Sequence, residues 1–218
     1  SSTLLGHQIY KRYSNKFPLL IKILDANQYL SVQVHPSDAY AALHEDGQMG
    51  KTEMWYIIHA EPGARLIYGV LPDTTKSDFE NALRKGQLEK YLNSIEVNSG
   101  DVLYIPAGVV HAIGPGIMIC EIQQNSDTTY RVYDWNRLGD DGKPRELHID
   151  KALDVIDFTG KHPREKLSGL SVNEDGSIRT HYVACPHFAM EKIECRGAVK
   201  EIADGSKFFT LTAVEGHG

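Results

Sequence analysis

The chain has 218 residues, of which 41% are hydrophobic and 24% charged, an ordinary globular composition. A chain of this length can bury a substantial core, as one large domain or two small ones. The formal net charge is −6, with acidic and basic residues interspersed. Because no basic stripe stands out, a nucleic-acid partner is not expected. An anionic small molecule is compatible with this charge, since a few cations in a cleft decide its binding.

The cysteine content and the apolar segments bear on location. Cys120, Cys185 and Cys195 are an odd number and form no C-x-x-C pair, which favours a reducing, cytoplasmic location. No apolar stretch predicts a membrane span or a signal peptide, so no membrane partner is expected. We expect a monomer or a weak homo-oligomer. The chain starts without methionine and stops at VEGHG, which suggests a fragment of a longer protein.

The first third of the chain reads mainly as β-strands. The segments with strand-like patterns are 18–25, 29–36, 51–60 and 64–70. The alternation in 29–36 places Ser31, Gln33 and His35 on one face of its strand. Ser37 is suited to cap a short helix that follows this strand.

The hydrophobic period becomes helical between residues 74 and 97. Ser77 with Glu80 fits a capping box, and residues 87–95 predict a second helix. Strand patterns resume over 101–113 and 117–124. A helical segment over 146–157 is followed, from about residue 170, by further strand-like pieces.

Four side chains in these segments are spaced like the ligands of one metal ion. Gln33 and His35 project side by side because residues two apart on a strand point the same way. Glu53 and His111 come from other predicted strands. Two histidines, a carboxylate and an amide oxygen suit zinc with open coordination positions, although the same core could hold ferrous iron or manganese. Each residue alone would be an ordinary surface or core group, so the prediction depends on their convergence.

The segment from Gly100 to His111 has the spacing G-x5-P-x-G-x2-H, completed by Pro106 and Gly108. This spacing resembles the second signature of the cupin family. We expect Pro106 and Gly108 to shape a tight hairpin, after which His111 points into a barrel. The predicted fold is mainly β, a cupin-type jelly-roll sandwich or barrel with a small helical insertion. The first cupin signature is altered, because Glu53 lies well beyond His35.

Four longer motifs resemble the type I phosphomannose isomerases in their short bacterial form. In chain order they are SVQVHPSD, GKTEMWYII, GDVLYIPAGVVHAIG and QQNSDTTYRVYDWNR. The resemblance is strong over about residues 18–150 and looser beyond, and members of the family are longer at both ends. It implies an isomerase that interconverts mannose 6-phosphate and fructose 6-phosphate, with a phosphosugar as its substrate.

The resemblance also implies roles for individual residues. It implies one zinc ion per chain, with the ligands Gln33, His35, Glu53 and His111. It implies two catalytic residues, Arg131 and Lys51. It places four more residues in or near the substrate pocket: Lys22, Ser31, Asp127 and Arg137.

The predicted organisation has three parts. Residues 1–145 would form the metal-binding cupin domain, with a helical insert at about 74–97. Residues 146–169 would be a helical linker, and residues 170–218 the start of a second β-sandwich.

Aldose–ketose isomerisation moves a proton between neighbouring carbons through a cis-enediolate. Arg131 can stabilise the negative charge that develops on oxygen. Lys51, on the same strand face as Glu53, is a candidate base, with a metal-bound water as its rival and Asp127 as a residue that could tune either. Lys51 could instead be a cation at the rim that steers phosphate.

Two pocket residues have competing explanations. Lys22 and Ser31 could meet in one pocket if their strands are adjacent, or Lys22 could extend to the surface along the sheet. Arg137 could bind phosphate or only form a salt bridge with Asp134 or another loop acid.

Two alternatives to the isomerase are another metal-dependent cupin enzyme, such as an iron dioxygenase, and a sugar-binding cupin without turnover. The combination of Gln33, Lys51 and Arg131 argues against the oxygenase.

Overall fold

The computed structural model describes residues 2–13, 16–139, 141–162 and 165–216. The chain divides into two compact units. The central unit comprises residues 21–167, and the terminal unit comprises residues 1–20 with 168–218. Among the described residues, no helix is both long and apolar enough to cross a membrane.

The described strands are short and account for most of the regular structure. In chain order they are β1 (Leu19–Ala26), β2 (Val32–Val34), β3 (Glu53–Ala60), β4 (Arg65–Val70), β5 (Leu92–Glu96), β6 (Val102–Ile105), β7 (His111–Ala112), β8 (Ile117–Gln124), β9 (Tyr130–Tyr133), β10 (Leu170–Glu174), β11 (Ser177–Ala184) and β12 (Ala189–Glu194). The helices are α1 (Ser2–Leu5), α2 (His7–Arg12), α3 (Asp38–His44), α4 (Lys76–Arg84), a 3₁₀ helix (Leu88–Tyr91) and α5 (Ile149–Val155). The predicted mainly β fold is confirmed.

Among the described residues, two sheets build the central unit and one builds the terminal unit. The strand orders are β1-β8-β3-β6, β5-β4-β7-β2-β9 and β10-β11-β12. The chain crosses between the first two sheets at each of the turns β6–β7 and β7–β8. The segment around Pro106 and Gly108 therefore joins strands of different sheets, and the predicted tight hairpin within one sheet is wrong. Gly108 nevertheless has a φ of 90°, which glycine adopts readily.

The strands of the five-stranded sheet bury a different set of residues on each face. Val32, Val34 and Val132 belong to an apolar cluster with Phe79 of α4 and Leu153 of α5. Because side chains alternate along a strand, the residues between these valines face the other way, toward the space between the two sheets. Apolar side chains fill part of that space, among them Trp55, Ile57, Leu66, Leu103 and Ile119.

Two predicted helix caps can be compared with the caps in the structure. Ser37 caps α3 as predicted, since its side chain accepts a hydrogen bond from the Tyr40 amide. The capping box of α4 is formed by Thr75 and Asp78, so the predicted box of Ser77 with Glu80 is wrong. Both pairs have the required spacing, and the N-cap is the residue whose backbone is extended, which here is Thr75.

The predicted second helix at residues 87–95 is also wrong over its second half. Only Leu88–Tyr91 is helical, as a 3₁₀ turn, and Leu92–Glu96 form β5. This strand pairs with β4, with Leu66 opposite Ile95. The backbone bonds and apolar contacts of this pairing outweigh local helix propensity, which is a weak preference.

Candidate metal centre and its surroundings

A row of polar side chains crosses the inner face of the five-stranded sheet. In the antiparallel pairing Gln33 lies opposite His111 on one side and opposite Arg131 on the other. Residues directly opposite each other in such pairs project to the same face. The three side chains therefore share the space between the two sheets, although 78 residues separate Gln33 from His111.

Glu53 and His35 complete the group from other positions. Glu53 is the first residue of β3, in the opposite sheet, and His35 directly follows β2. The Nε2 atom of His35 lies 3.3 Å from Oε1 of Glu53, and Nε2 of His111 lies 3.5 Å from Oε2. All three side chains are buried, and their donor atoms lie within 4.8 Å of one another. The fold thus brings together the histidine and glutamate residues that the sequence singles out.

Both histidines have their Nδ1 atoms fixed by backbone carbonyls. Nδ1 of His35 lies 3.0 Å from the carbonyl oxygen of Thr128, and Nδ1 of His111 lies 2.9 Å from that of Val109. Since a carbonyl can only accept, each Nδ1 carries the proton and donates it. The lone pair of each ring is therefore on Nε2, the atom that faces Glu53. Histidine ligands of metal ions have this arrangement.

The donor spacing matches that of ligands around one ion. Two atoms about 2.0–2.1 Å from a tetrahedral zinc ion are roughly 3.3 Å apart. The Glu53 contacts with the two histidines, at 3.3 and 3.5 Å, have this separation. Nε2 of Gln33 also lies 3.3 Å from Nε2 of His111. Within the described chain, the buried Nε2 of His35 has no hydrogen-bond partner. The cluster therefore fits a metal ion in both donor chemistry and size.

Burial and charge set the protonation of the cluster. Burial lowers the pKa of His35 to about 4 and also lowers the pKa of His111, so both rings are neutral at pH 7. Burial alone would raise the pKa of Glu53, but the charge that His35 carries at acid pH and the charge of Lys51 hold that pKa well below the usual range. Neutral imidazoles next to an ionised carboxylate are the forms that bind a cation.

Lys51 lies against the cluster. Its side chain is buried, and Nζ is 2.9 Å from Oε1 of Glu53. The contact is a buried ion pair outside hydrogen-bonding geometry. Lys51 precedes β3, which begins at Glu53, so the two side chains lie together although Lys51 is not on the strand as predicted.

Lys22 belongs to a buried polar network on the four-stranded sheet. Its Nζ donates to Oε2 of Glu121 at 2.9 Å and also to Oε1 of Gln123. The other oxygen of Glu121 accepts from Nε1 of Trp55 at 3.0 Å. The expectation that Lys22 and Ser31 lie on adjacent strands is wrong, because β1 and β2 belong to different sheets. Ser31, immediately before β2, is buried.

Glu121 and Gln123 were not among the residues predicted from the sequence. Both are buried, and Gln123 lies opposite Glu53 in the β3–β8 pairing, with Glu121 opposite Trp55. A signal was present, because a carboxylate and an amide two residues apart at the end of an apolar strand share one face. Their partners only became clear from the strand register.

The side chain of Arg131 extends from the inner face of the five-stranded sheet toward the segment after β9. Its Nη1 donates to the carbonyl of Glu146 at 2.8 Å, and its buried Nε has no hydrogen-bond partner among the described residues. Burial lowers the pKa of Arg131. Arg137 forms a salt bridge with the buried Asp134, one of its two predicted roles, and Arg145 bonds to the same carboxylate, at 2.7 Å from Nε to Oδ2.

Asp127 is exposed and lines a polar cavity of about 440 Å³. Loop residues 125–129 and Tyr130 at the start of β9 form one wall, and the remaining lining residues are Glu45, Gln48, His148 and Lys151. None of the candidate metal ligands lines this cavity. We place the candidate site at the buried cluster, because donor chemistry converges there and not in the cavity.

The fold and the cluster together define a class: a cupin-type jelly roll with a candidate metal centre between its two sheets. Residues 1–49 match the sequence model of the family described as phosphomannose isomerase type I, catalytic domain. The resemblance to this family that the motifs predict is confirmed.

Individual relatives support the same similarity. The chain is 42% identical over 94% of its length to mannose-6-phosphate isomerase ManA of Bacillus subtilis (strain 168), covering 64% of that protein. It is 44% identical over 94% of its length to mannose-6-phosphate isomerase of Streptococcus mutans serotype c, covering 63% of it. A crystal structure of the mannose 6-phosphate isomerase from Bacillus subtilis matches 85% of this chain and 61% of its own, with a TM-score of 0.76 and 36% identity. The chain thus spans under two thirds of the length of these relatives.

Proposed function

We propose that this chain carries the catalytic site of a zinc-dependent aldose–ketose isomerase that interconverts mannose 6-phosphate and fructose 6-phosphate through a cis-enediolate. The observation that carries the proposal is the buried cluster of His35, Glu53 and His111, with both Nε2 lone pairs directed at the carboxylate. The names of the similar proteins supply the substrate.

The proposed ligand set is Gln33, His35, Glu53 and His111, which would hold one zinc ion per chain. Gln33 would ligate through its carbonyl oxygen, because an amide nitrogen has no lone pair to offer. A half-turn of its amide exchanges the nitrogen, now 3.3 Å from His111, for that oxygen. When bound, the ion supplies Lewis acidity toward the oxygens of the sugar.

Arg131 would stabilise the enediolate. It lies next to Gln33 in the same row, and its guanidinium keeps a positive charge at any pH the protein meets. Its Nε hydrogen is buried and unpaired within the described chain, so a donor is available for an oxygen that gains negative charge. A fixed donor of this kind is worth about 2.7–4 kcal/mol in comparable oxyanion sites.

Lys51 would be the base that moves the proton between the two carbons. It is buried beside Glu53 and close to the proposed ion. A water on the ion, with Asp127 tuning it, is the second candidate for this step. Because Asp127 is exposed at a separate cavity, the geometry favours Lys51.

Lys22, Ser31 and Arg137 would contact the phosphosugar, and Asp127 would contact the part of it that reaches the polar cavity. Lys22 donates to Glu121 and Gln123, which fixes the position of its ammonium group. Arg137 would bind the phosphate while Asp134 holds its guanidinium. We also keep three predictions from the sequence: a cytoplasmic location, no nucleic-acid or membrane partner, and a monomer or weak homo-oligomer.

The experiment that tests this proposal follows mannose 6-phosphate by proton NMR in deuterium oxide. Zinc-loaded protein is compared with chelator-treated protein at equal concentration. We expect fructose 6-phosphate to appear only with the metal, and deuterium to enter the product at the carbon that receives the proton. Absence of conversion with one zinc bound per chain would reject the isomerase in favour of a sugar-binding cupin. Oxidation of the sugar to a different product, with ferrous iron and consumption of oxygen, would point to another cupin enzyme.

A further inference from the structure

The segment that carries Lys51 is anchored at three successive backbone amides. The amide of Gly50 donates to Oδ1 of Asp38 at 2.7 Å, and the amide of Lys51 donates to the carbonyl of Pro36 at 3.1 Å. The amide of Thr52 donates to Oε1 of Gln124 at 2.9 Å. Each anchor comes from a different residue, so the backbone on either side of Lys51 is fixed.

Gln124 has the largest share in this anchoring. Its backbone amide donates to the carbonyl of Thr52 at 3.1 Å, and its side-chain Nε2 donates to Oδ1 of Asp38 at 2.9 Å. Gln124 is the last residue of β8 and is buried. Its side-chain carbonyl accepts from Thr52, one residue before β3 begins, as a backbone carbonyl of a neighbouring strand would. Its side-chain amide connects the same position to Asp38, the first residue of α3.

The segment cannot shift toward α3 to replace a lost bond. A Cβ atom added at Gly50 would lie 2.4 Å from the backbone nitrogen of Asp38 and 2.5 Å from the carbonyl carbon of Ser37. Without the Gln124 side chain, the buried amide of Thr52 would have to move away from α3 to find a partner. Lys51 and Glu53 flank Thr52, so this movement would change the 2.9 Å contact between their side chains.

We propose that Gln124 is a positioning residue that sets the placement of Lys51 and Glu53 through the backbone of Thr52. Its effect on turnover rests on the proposed function, whereas its effect on the geometry of the centre does not. A displacement of about 1 Å at a catalytic group can cost roughly a hundredfold in rate. Gln124 should therefore affect turnover more than substrate binding.

The first test replaces Gln124 by methionine, which keeps the length of the side chain and removes both hydrogen bonds. We expect kcat to fall at least about tenfold, KM to change less than about twofold, and the metal content per chain to stay at the wild-type value. Thr75→Val is the matched control, because it removes hydrogen bonds to the backbone at the start of α4, away from the centre. It should lower stability and leave kcat unchanged.

A second substitution that restores activity would distinguish a positioning role of Gln124 from a simple loss of stability. Gln124→Glu keeps an acceptor for Thr52 but sets a second carboxylate against Asp38, and we expect it to lower kcat. Adding Asp38→Asn restores one amide and one carboxylate to the pair, and we expect most of kcat to return. If Gln124→Met fails to fold, this pair of variants carries the same comparison.

Two further readouts do not depend on turnover. Hydrogen exchange at the Thr52 amide should accelerate in Gln124→Met, because that amide loses its acceptor, and the visible spectrum of the cobalt-loaded protein should change. A wild-type protein that binds cobalt but converts no mannose 6-phosphate would reject the proposed function alone, and the spectrum would then decide the positioning role. The positioning role is overturned if kcat of Gln124→Met stays within about twofold of the wild type, or if the cobalt spectrum does not change.

Discussion

His35 and His111 are both protonated on Nδ1, but the backbone carbonyls that accept these two protons lie in different parts of the chain. The carbonyl that fixes His111 is two residues away, at Val109, whereas the one that fixes His35 belongs to Thr128, 93 residues away in the sequence. Alternation along a strand was enough to select His35 and Gln33 as candidates. The direction of the His35 lone pair could not be predicted, because it depends on a loop that only the folded chain brings close.

Substitutions should separate the residues that bind the metal from the arginine that serves the reaction. We expect His111→Ala to remove metal binding, and Arg131→Ala to keep the metal and lower kcat by a factor of about 10²–10³. Metal content by atomic emission and turnover of mannose 6-phosphate measure the two effects. Arg65→Ala is the control, since Arg65 bonds to Ser94 and pairs with Glu96 at the exposed edge of the sheet. Metal-dependent turnover in His111→Ala would contradict the ligand assignment.

The buried histidines should make the metal-free protein sensitive to acid. The pKa of His35 falls from 6.5 to about 4 on folding because of burial, so between these values the unfolded chain binds more protons. Stability is therefore present above pH 6.5 and is lost as the pH falls toward 4. We expect His35 alone to account for about 2 kcal/mol of lost unfolding free energy between pH 7 and pH 5, with His111 acting in the same direction.

Urea unfolding with a chelator present measures this loss. His35→Gln is the comparison, because glutamine does not titrate, and its unfolding free energy should depend less on pH over the same interval. An equal loss in the wild type and in His35→Gln would show that other groups cause the acid sensitivity.

At the level of the elements, sequence patterns predicted strands more reliably than their connections. The strand that carries Gln33 and the strand that begins at Glu53 were both expected. The second half of the expected helical insert became β5, because it pairs with β4. The motif from Gly100 to His111 was correctly expected to direct His111 inward, yet its turn links two sheets. The hydrophobic period of a segment predicts its own secondary structure, but it does not predict with which other segment it pairs.

Gly108 tests the part of this motif that precedes His111. A Cβ atom there would lie 2.9 Å from the carbonyl oxygen of Val155, and φ is 90°. We expect Gly108→Ala to lower the unfolding free energy by about 2–4 kcal/mol, through backbone strain and the clash together. It should also weaken metal binding, since the Gly108 amide donates to the carbonyl of His35 at 2.9 Å.

Gly100→Ala provides the matched control. Gly100 has a similar φ of 93°, and a Cβ atom there would meet nothing within 4 Å. Its cost should be the backbone strain alone, about 1–2 kcal/mol. Equal costs in urea unfolding for the two alanine variants would show that the contact with Val155 is unimportant.

At the scale of the whole molecule, the candidate centre lies entirely in the central unit, residues 21–167. The domain organisation expected from the sequence stays a prediction. Sequence alone gave no reason to group residues 1–20 with residues 168–218, since contacts distant in sequence leave no periodic signal. Within the terminal unit, Arg179 bonds to three acids, Glu174, Glu191 and Glu201.

Arg179→Met should therefore affect the terminal unit and spare the metal centre. We expect faster hydrogen exchange in β10, β11 and β12, because three carboxylates lose their common partner, and an unchanged metal content. Lys192→Met is the control, as it loses an exposed pair with Glu194 in the same sheet. Loss of metal from Arg179→Met would contradict the assignment of the centre to the central unit.

The most direct measurement of the central claim is anomalous diffraction at the zinc absorption edge from crystals of the zinc-loaded protein. We expect one strong peak per chain between the two sheets of the central unit, within about 2.0–2.2 Å of ligand atoms from His35, Glu53 and His111. A peak elsewhere, or none between these three side chains at full zinc loading, would contradict it.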